Sequence, residues 1–200
     1  IVGNCFDAEI VTSLDIGCVT FKEKYFADEQ LSAHNFKQVS LAVKQQLNPL
    51  VASYQKIGWQ AVLGGSGIMQ ALAEILHWHN KPSIITAEFL QDIQSQLLDF
   101  KHFDAITING LTSDRIPVFA SGLAILMTIF DCFSITSLQL SSGALREGLL
   151  YEMLPNMRQL SIRKRTLASL IERFHIDQKH AKRITAQAHN LFDQFALYTS

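Results

Sequence analysis

The sequence predicts an α/β domain whose helices cover a sheet, followed by a helical segment after Pro155. Apolar residues alternate with polar ones in short stretches and recur every three or four positions in longer ones. Glycine turns at residues 64–67 and 141–143 each join a strand pattern to a helix pattern. Since ligands of α/β folds bind at the carboxyl ends of the strands, these two turns are the predicted binding edge.

The chain is predicted to begin with a strand pair and a long helix. Extended runs at residues 1–2 and 10–12 predict two strands, the second continuing toward Val19. Apolar spacing from residue 31 to residue 57 predicts a helix, which Gly58 ends. Pro49 falls inside this helix and should kink or divide it.

The middle of the chain alternates strand and helix patterns. Residues 59–63 predict a buried strand, and Thr86 is the predicted N-cap of a helix. The further predicted elements are helices at residues 68–78, 86–98 and 114–133, a strand at 137–140, and helices at 145–154, 161–174 and 178–195. The last two helices should pack on the α/β domain or on a second copy, because so short a pair cannot close a core alone.

Composition favours a globular, reduced protein. Apolar residues make up 48% of the 200 positions and charged residues 18%, which is enough to bury a core. The longest apolar run, at residues 116–135, is interrupted by polar residues and proline, so no membrane helix is expected. Three widely separated cysteines predict reduced thiols in the cytoplasm, and no metal-binding cluster is visible.

The first residue is Ile1, with no methionine or signal pattern before it, which suggests a piece of a longer protein.

Charge is concentrated in the last part of the chain. The net charge is −1, but residues 156–200 carry eight basic and three acidic side chains, so this part is +5 and the rest is −6. A solvated helix face would explain this pattern, and so would a polyanionic partner such as polyphosphate, a hyperphosphorylated nucleotide or a nucleic acid.

The two glycine turns are candidate anion sites, and an ordinary tight turn would equally explain the spacing at residues 64–67. The first backbone N–H groups of a helix lack intrahelical partners, and glycine lets phosphate approach them closely. Arg146 stands in the first turn of the second helix, where the macrodipole favours acids by about 0.3–1 kcal/mol. A bound anion would explain Arg146, and so would a surface pair with Glu147 or Glu152. Ser66 could cap its helix or donate its hydroxyl to a ligand.

Four blocks of sequence resemble, in order, the exopolyphosphatase and guanosine pentaphosphate phosphohydrolase family. They are Ser-Leu-Asp-Ile-Gly-Cys-Val-Thr at residues 13–20, Gly-Trp-Gln-Ala-Val-Leu-Gly-Gly-Ser-Gly at 58–67, Asp-Arg at 114–115 with Ser-Gly-Leu-Ala-Ile-Leu at 121–126, and Gly-Ala-Leu-Arg-Glu-Gly-Leu-Leu-Tyr-Glu at 143–152. Stretches at residues 17–20, 25–28 and 119–130 are most similar to the guanosine pentaphosphate phosphohydrolase branch.

The resemblance implies a fold, a site and a domain division. Residues 1–155 would be the second lobe of an actin-like, ribonuclease-H-like core, and residues 156–200 the start of a helical carboxy-terminal domain. The substrate-binding residues would be Gly64, Gly65, Ser66, Gly67, Gly143, Arg146 and Glu147. Family members usually have threonine where this chain has Ile68, so that hydroxyl contact is absent.

The resemblance also implies a chemistry that needs more than this chain. Enzymes of the family remove the terminal phosphate of polyphosphate or guanosine pentaphosphate by attack of water, with Mg²⁺ screening the phosphates and a glutamate positioning the nucleophile. That glutamate lies in an amino-terminal lobe that is missing here. We therefore expect no catalytic residue and no metal ligand in this chain, Mg²⁺ in the full-length enzyme, no activity of the chain alone, and an incomplete sheet whose edges can pair with another chain.

Partners and alternatives follow from the same features. A phosphate-rich molecule or polyphosphate, the missing lobe and a second copy in a homodimer are the expected partners. One alternative is a kinase of the actin-like superfamily, which would need an adenosine pocket. A less favoured alternative is a module without enzymatic activity that binds nucleic acid through the basic helices.

Overall fold

The computed structural model describes residues 1–4, 7–141, 143, 145–152, 171 and 174–198. The chain divides into two compact units, Ile1–Arg146 and Glu147–Ser200. The predicted domain boundary after residue 155 and most of the predicted helix at 161–174 lie outside the described residues. The boundary between the domains therefore stays a prediction.

The strands of the first unit form two separate sheets within the described part of the chain. β1 (Val2–Asn4) pairs antiparallel with β2 (Asp7–Ile10). The second sheet has the order β3 (Leu63–Gly64), β5 (Ser137–Leu140), β4 (Ile84–Thr86), with β5 parallel to β3 and antiparallel to β4. β4 was not predicted, since three residues carry too little pattern.

Helices make most of the core of the first unit, and α3 and α4 pack on its second sheet. The helices of the described residues are α1 (Cys18–Tyr25), α2 (Ala33–Ile57), α3 (Gly67–Trp78), α4 (Ala87–Phe100), α5 (Ile116–Phe133), α6 (Leu145–Glu152), which begins in the first unit and continues in the second, and α7 (Gln178–Tyr198) of the second unit. Thr86 caps α4 by accepting a hydrogen bond from the Phe89 N–H, as predicted. Gly58 ends α2 at a φ of 71°, where its N–H donates to the Tyr54 carbonyl, as predicted.

One prediction for the start of the chain is wrong, and another is wrong in one of its two alternatives. The second strand does not continue toward Val19, because residues 18–25 fold as α1 and bury Phe21 in the core. Pro49 does not divide α2, which runs unbroken through it, and a kink there stays a prediction. Val39, Val43 and Leu47 are buried along one face of α2 against α5, and this packing outweighs the one hydrogen bond that proline removes.

α5 is the central helix of the first unit. It packs on α1, α2 and α4, and Phe119, Leu123 and Leu126 are almost fully buried. By length and composition α5 could cross a membrane, contrary to the expectation from its interrupted sequence. Half of it is buried inside this unit, so its apolar composition is explained by its position in the core.

The predicted buried strand at residues 59–63 is also wrong. Only Leu63–Gly64 is strand, and Leu63 is 63% exposed because β3 lies at the edge of its sheet. An edge groove of about 750 Å³ is lined by β1, by residues 57–63 and by Tyr54, Phe133 and Ile135. The Val62 carbonyl accepts a hydrogen bond from the Gln139 N–H of β5, and the Gly64 carbonyl accepts one from the Ser141 N–H just after β5. Because successive residues of a strand turn their N–H and C=O groups to opposite sides, those of Leu63 face away from β5.

Replacing Gly110 with alanine is expected to lower the free energy of unfolding by about 2–4 kcal/mol. Gly110 has a φ of 90°, and a Cβ atom there would lie 2.8 Å from the Ile75 Cα and 2.9 Å from the Glu74 carbonyl oxygen. Both contacts are with the backbone of α3, which cannot rotate away. Urea titration followed by circular dichroism measures the change.

Gly148→Ala is the matched control, because a Cβ atom at Gly148 meets nothing within 4 Å. Alanine inside α6 should leave stability unchanged or raise it by about 0.5–1 kcal/mol. A Gly110→Ala variant as stable as Gly148→Ala would show that the chain segment at Gly110 does not pack on α3 as described.

Candidate functional site

The two glycine turns lie side by side at one edge of the second sheet. β3 and β5 are parallel neighbours, so both turns leave the sheet at carboxyl ends. The Ser141 N–H donates to the Gly64 carbonyl at 2.8 Å, and a Cβ atom built on Gly65 would lie 3.8 Å from the Gly143 carbonyl oxygen. We call residues 64–67, 141 and 143 the glycine cradle.

The first two glycines of the cradle have different roles. Gly64 is buried, and a Cβ atom there would lie 2.9 Å from the Met69 side chain and 3.2 Å from Leu138. Glycine at this position therefore lets α3 pack against β5. Gly65 is exposed, and its Cβ position has only ordinary contacts, at 3.8 Å or more. Gly65 is thus the open position that faces the second turn.

Ser66 precedes α3 but does not cap it. Its backbone is extended, as at an N-cap, while its hydroxyl contacts the Met69 sulfur at 2.5 Å instead of accepting from a helix N–H. The predicted capping role is therefore not seen. The first N–H groups of α3 have no side-chain cap, so the positive end of its dipole opens beside Gly65.

Arg115 is a cradle-side cation that was not predicted as a site residue. Its guanidinium donates to the Gly67 carbonyl, 48 positions away in the chain. Arg115 is half-buried just before α5, and the neighbouring Asp114 is exposed. A hydrogen bond from Thr112 lowers the pKa of the Asp114 carboxyl, and the charge of Arg115 adds to this effect. The sequence signal was present, since Asp114 and Arg115 belong to one of the four resembling blocks.

The second turn is held by Ser141. Its hydroxyl accepts from the Gly143 N–H at 3.2 Å and lies 3.2 Å from the Gly143 carbonyl. The Gly143 N–H, which the sequence suggested for phosphate, thus has a partner already. The Ser141 hydroxyl can give up its contact with Gly143 and donate a hydrogen bond to a ligand oxygen instead.

The two charged residues of the predicted site lie at the start of α6. Arg146 is exposed and is the last residue of the first unit, three positions after Gly143. Glu147 is half-buried and opens the second unit. The contact of either side chain with substrate stays a prediction.

The cradle does not have the composition of a metal site. Among residues 1–4, 7–141, 143, 145–152 and the later described positions, no three His, Cys, Asp or Glu side chains converge. Mg²⁺ prefers carboxylate oxygens together with substrate phosphates, and the cradle consists of glycine and serine, with Arg115 beside it. Within this part of the chain nothing fits the ion, and we derive no step through it. Cys18 and Cys132 are free, half-buried thiols.

Profiles of two protein domains match the chain. Residues 1–157 match the Ppx/GppA phosphatase family, and residues 162–199 match Ppx/GppA phosphatase, domain III. The guanosine-5'-triphosphate,3'-diphosphate pyrophosphatase of Photobacterium profundum is 44% identical over 94% of this chain and 38% of its own length. Its namesake in Vibrio cholerae is 41% identical over 97% and 39%. The chain therefore spans about two fifths of the length of these curated relatives.

Solved structures have the same fold. A Ppx/GppA phosphatase of Aquifex aeolicus, in its type II variant, matches with a TM-score of 0.62 at 20% identity, over 76% of this chain and 52% of that one. An exopolyphosphatase of Cytophaga hutchinsonii matches with a TM-score of 0.60 at 17% identity, over 71% and 48%. The predicted α/β, actin-like fold class is confirmed.

Proposed function

Since the chain belongs to the Ppx/GppA phosphatase family, we propose that it is the second core lobe of a phosphatase that removes the terminal phosphate of guanosine pentaphosphate, polyphosphate or both. The one observation that carries this proposal is the hydrogen bond between Ser141 and Gly64, which brings the two turns together. The names of the relatives support the guanosine nucleotide as a substrate. They favour neither the kinase nor the nucleic-acid module.

The cradle suits a phosphate chain because most of its polar groups are hydrogen-bond donors. Phosphoryl transfer passes through a loose transition state whose charge lies on the phosphate oxygens, so catalysis depends on positioned donors and cations. The donors at or beside this edge are the first N–H groups of α3, which have no side-chain cap, the Ser66 and Ser141 hydroxyls, and the Arg115 guanidinium, which bonds the Gly67 carbonyl. In this proposal they bind phosphates and leave activation of water to the rest of the enzyme.

The remaining features of the proposed enzyme belong to the longer protein. We propose that it binds Mg²⁺ through carboxylates outside this chain, acts in the cytoplasm and forms a homodimer. The free thiols of Cys18 and Cys132 support a reducing compartment.

Arg115→Ala is expected to weaken the binding of tripolyphosphate by about 10–100-fold, the usual effect of losing a hydrogen bond from a charged group. In the phosphatase that contains this chain, kcat/KM should fall by a similar factor. Isothermal titration at two salt concentrations measures the binding, and the salt dependence should become shallower as one cation is lost.

Arg183→Ala is the control, because Arg183 is an exposed cation on α7, outside the first unit. It should bind tripolyphosphate as the unmodified chain does. Equal losses in the two variants would mean that net charge, and not the cradle, attracts the phosphates. Arg146→Ala, measured in the same series, tests the second predicted arginine.

A further inference from the structure

The amino end of α3 is held close to the first turns of α5. The Arg115 guanidinium, just before α5, donates to the Gly67 carbonyl. Beside this bond, the Ile68 side chain presses on Gly122, since a Cβ atom built on that glycine would lie 3.3 Å from both the Cβ and the Cγ1 atoms of Ile68. The place of the start of α3 therefore depends on α5.

Gly122 is a glycine in the buried interior of α5, where alanine would favour the helix more. Its close approach to Ile68 gives a reason for glycine at this position. An alanine there would require its neighbour to move by a few tenths of an ångström. The missing side chain thus sets how closely α3 approaches α5.

The start of α3 is the side of this contact that can move. Ser121, next to Gly122, is fully buried, and its hydroxyl donates to the Cys18 carbonyl of α1 at 2.7 Å. Phe119 and Leu123 fix the same turns of α5 in the core. Residues 65–67, in contrast, are exposed. A side chain added at Gly122 would therefore displace α3 and leave α5 in place.

Ile68 also contributes one of the donors of the cradle. The first intrahelical hydrogen bond of α3 runs from the Gln70 N–H to the Ser66 carbonyl at 3.1 Å, so the Ile68 N–H comes before it and has no partner within the helix. A shift of the Ile68 side chain moves this N–H as well. Binding sites lose function when their donors move by about 0.5 Å, because hydrogen bonds depend on distance and angle.

We propose that Gly122 is a positioning residue of the phosphate site, which sets the place of the N–H groups at the start of α3 through its contact with Ile68. The inference rests on the proposed function and adds to it a residue that touches no substrate.

Gly122→Ala is expected to weaken the binding of tripolyphosphate to the purified chain by about 3–10-fold, since a misplacement of 1 Å can cost about 100-fold. In the enclosing phosphatase kcat/KM should fall by a similar factor. The thermal unfolding midpoint should stay near that of the unmodified chain, because the helix propensity of alanine offsets the tighter contact. Isothermal titration measures the binding.

Gly148→Ala is the matched control, since it makes the same substitution inside α6 with nothing within 4 Å of the new Cβ atom. It should bind tripolyphosphate as the unmodified chain does. Unchanged affinity of a folded Gly122→Ala variant would overturn the inference and leave the phosphate site intact. Failure of the unmodified chain to bind tripolyphosphate would overturn the proposed function together with the inference.

A double-mutant cycle tests the route through Ile68. Ile68→Ala keeps the N–H and removes the Cγ1 atom that presses on Gly122. In this background Gly122→Ala should cause little further loss of affinity, whereas a general structural role of Gly122 would give the same loss in both backgrounds and overturn the proposal. Ile68→Val keeps the Cβ and Cγ1 contacts, so it should weaken binding less than Ile68→Ala. The opposite order would also contradict the proposal, and this comparison does not require Gly122→Ala to fold.

Discussion

Gly65→Leu is expected to reduce kcat/KM of the enclosing phosphatase by about 10²–10³, the factor lost when a positioned donor no longer reaches the transition state. The leucine side chain would project from an exposed position that faces the second turn, since a Cβ atom on Gly65 lies 3.8 Å from the Gly143 carbonyl oxygen. It would occupy the place of the phosphates and hold them away from the first N–H groups of α3. The chain alone should lose its affinity for tripolyphosphate by a comparable factor.

The fold should tolerate this substitution, which makes the result interpretable. No close contact opposes a Cβ atom at Gly65, in contrast to Gly64 and Gly110. The thermal unfolding midpoint of Gly65→Leu should therefore stay near that of the unmodified chain. Ala52→Leu, which adds a similar side chain on the exposed surface of α2, is the control and should change neither activity nor binding. Full activity of a folded Gly65→Leu variant would exclude the cradle as the phosphate site.

The sequence was informative where a local pattern is long. α3, α4 and α5 have clear apolar spacing, and the glycine turns at residues 64–67 and 141–143 mark the strand ends correctly. Short elements were misjudged because tertiary contacts decide them. α1 has a weak helical pattern in its eight residues and forms because Phe21 packs into the core. Leu63 was predicted to be buried in a strand, yet it lies exposed at a sheet edge, and no local sequence pattern shows which strand is at the edge.

The site could be predicted only in part for the same reason. The two turns were identified from their glycines, but their adjacency depends on β3 pairing with β5, across 76 positions of the chain from Leu63 to Gln139. Arg115 reaches Gly67 only in the folded molecule, so residue chemistry and spacing alone could not assign it.

The largest expected effect is the complete loss of catalysis in the 200-residue chain on its own. The residue that positions the attacking water, worth about 10²–10⁴ in rate, and the carboxylates for Mg²⁺ are expected outside this chain, so the proposed cradle would bind phosphates without hydrolysing them. Among the described residues nothing in the cradle supplies either function. Phosphate release from polyphosphate and from guanosine pentaphosphate, with and without Mg²⁺, should equal the buffer blank. Measurable Mg²⁺-dependent release would contradict this expectation.

Supplying the remainder of the enzyme as a separate chain should restore activity, and the edge groove is the expected point of contact. A strand in the groove could pair with the backbone of Leu63, which faces away from β5. Leu63→Pro removes the N–H that would bond the incoming strand, so complementation should fail. Leu63→Ala keeps that N–H and should complement as the unmodified chain does. Equal recovery with both variants would show that the two chains assemble through another surface.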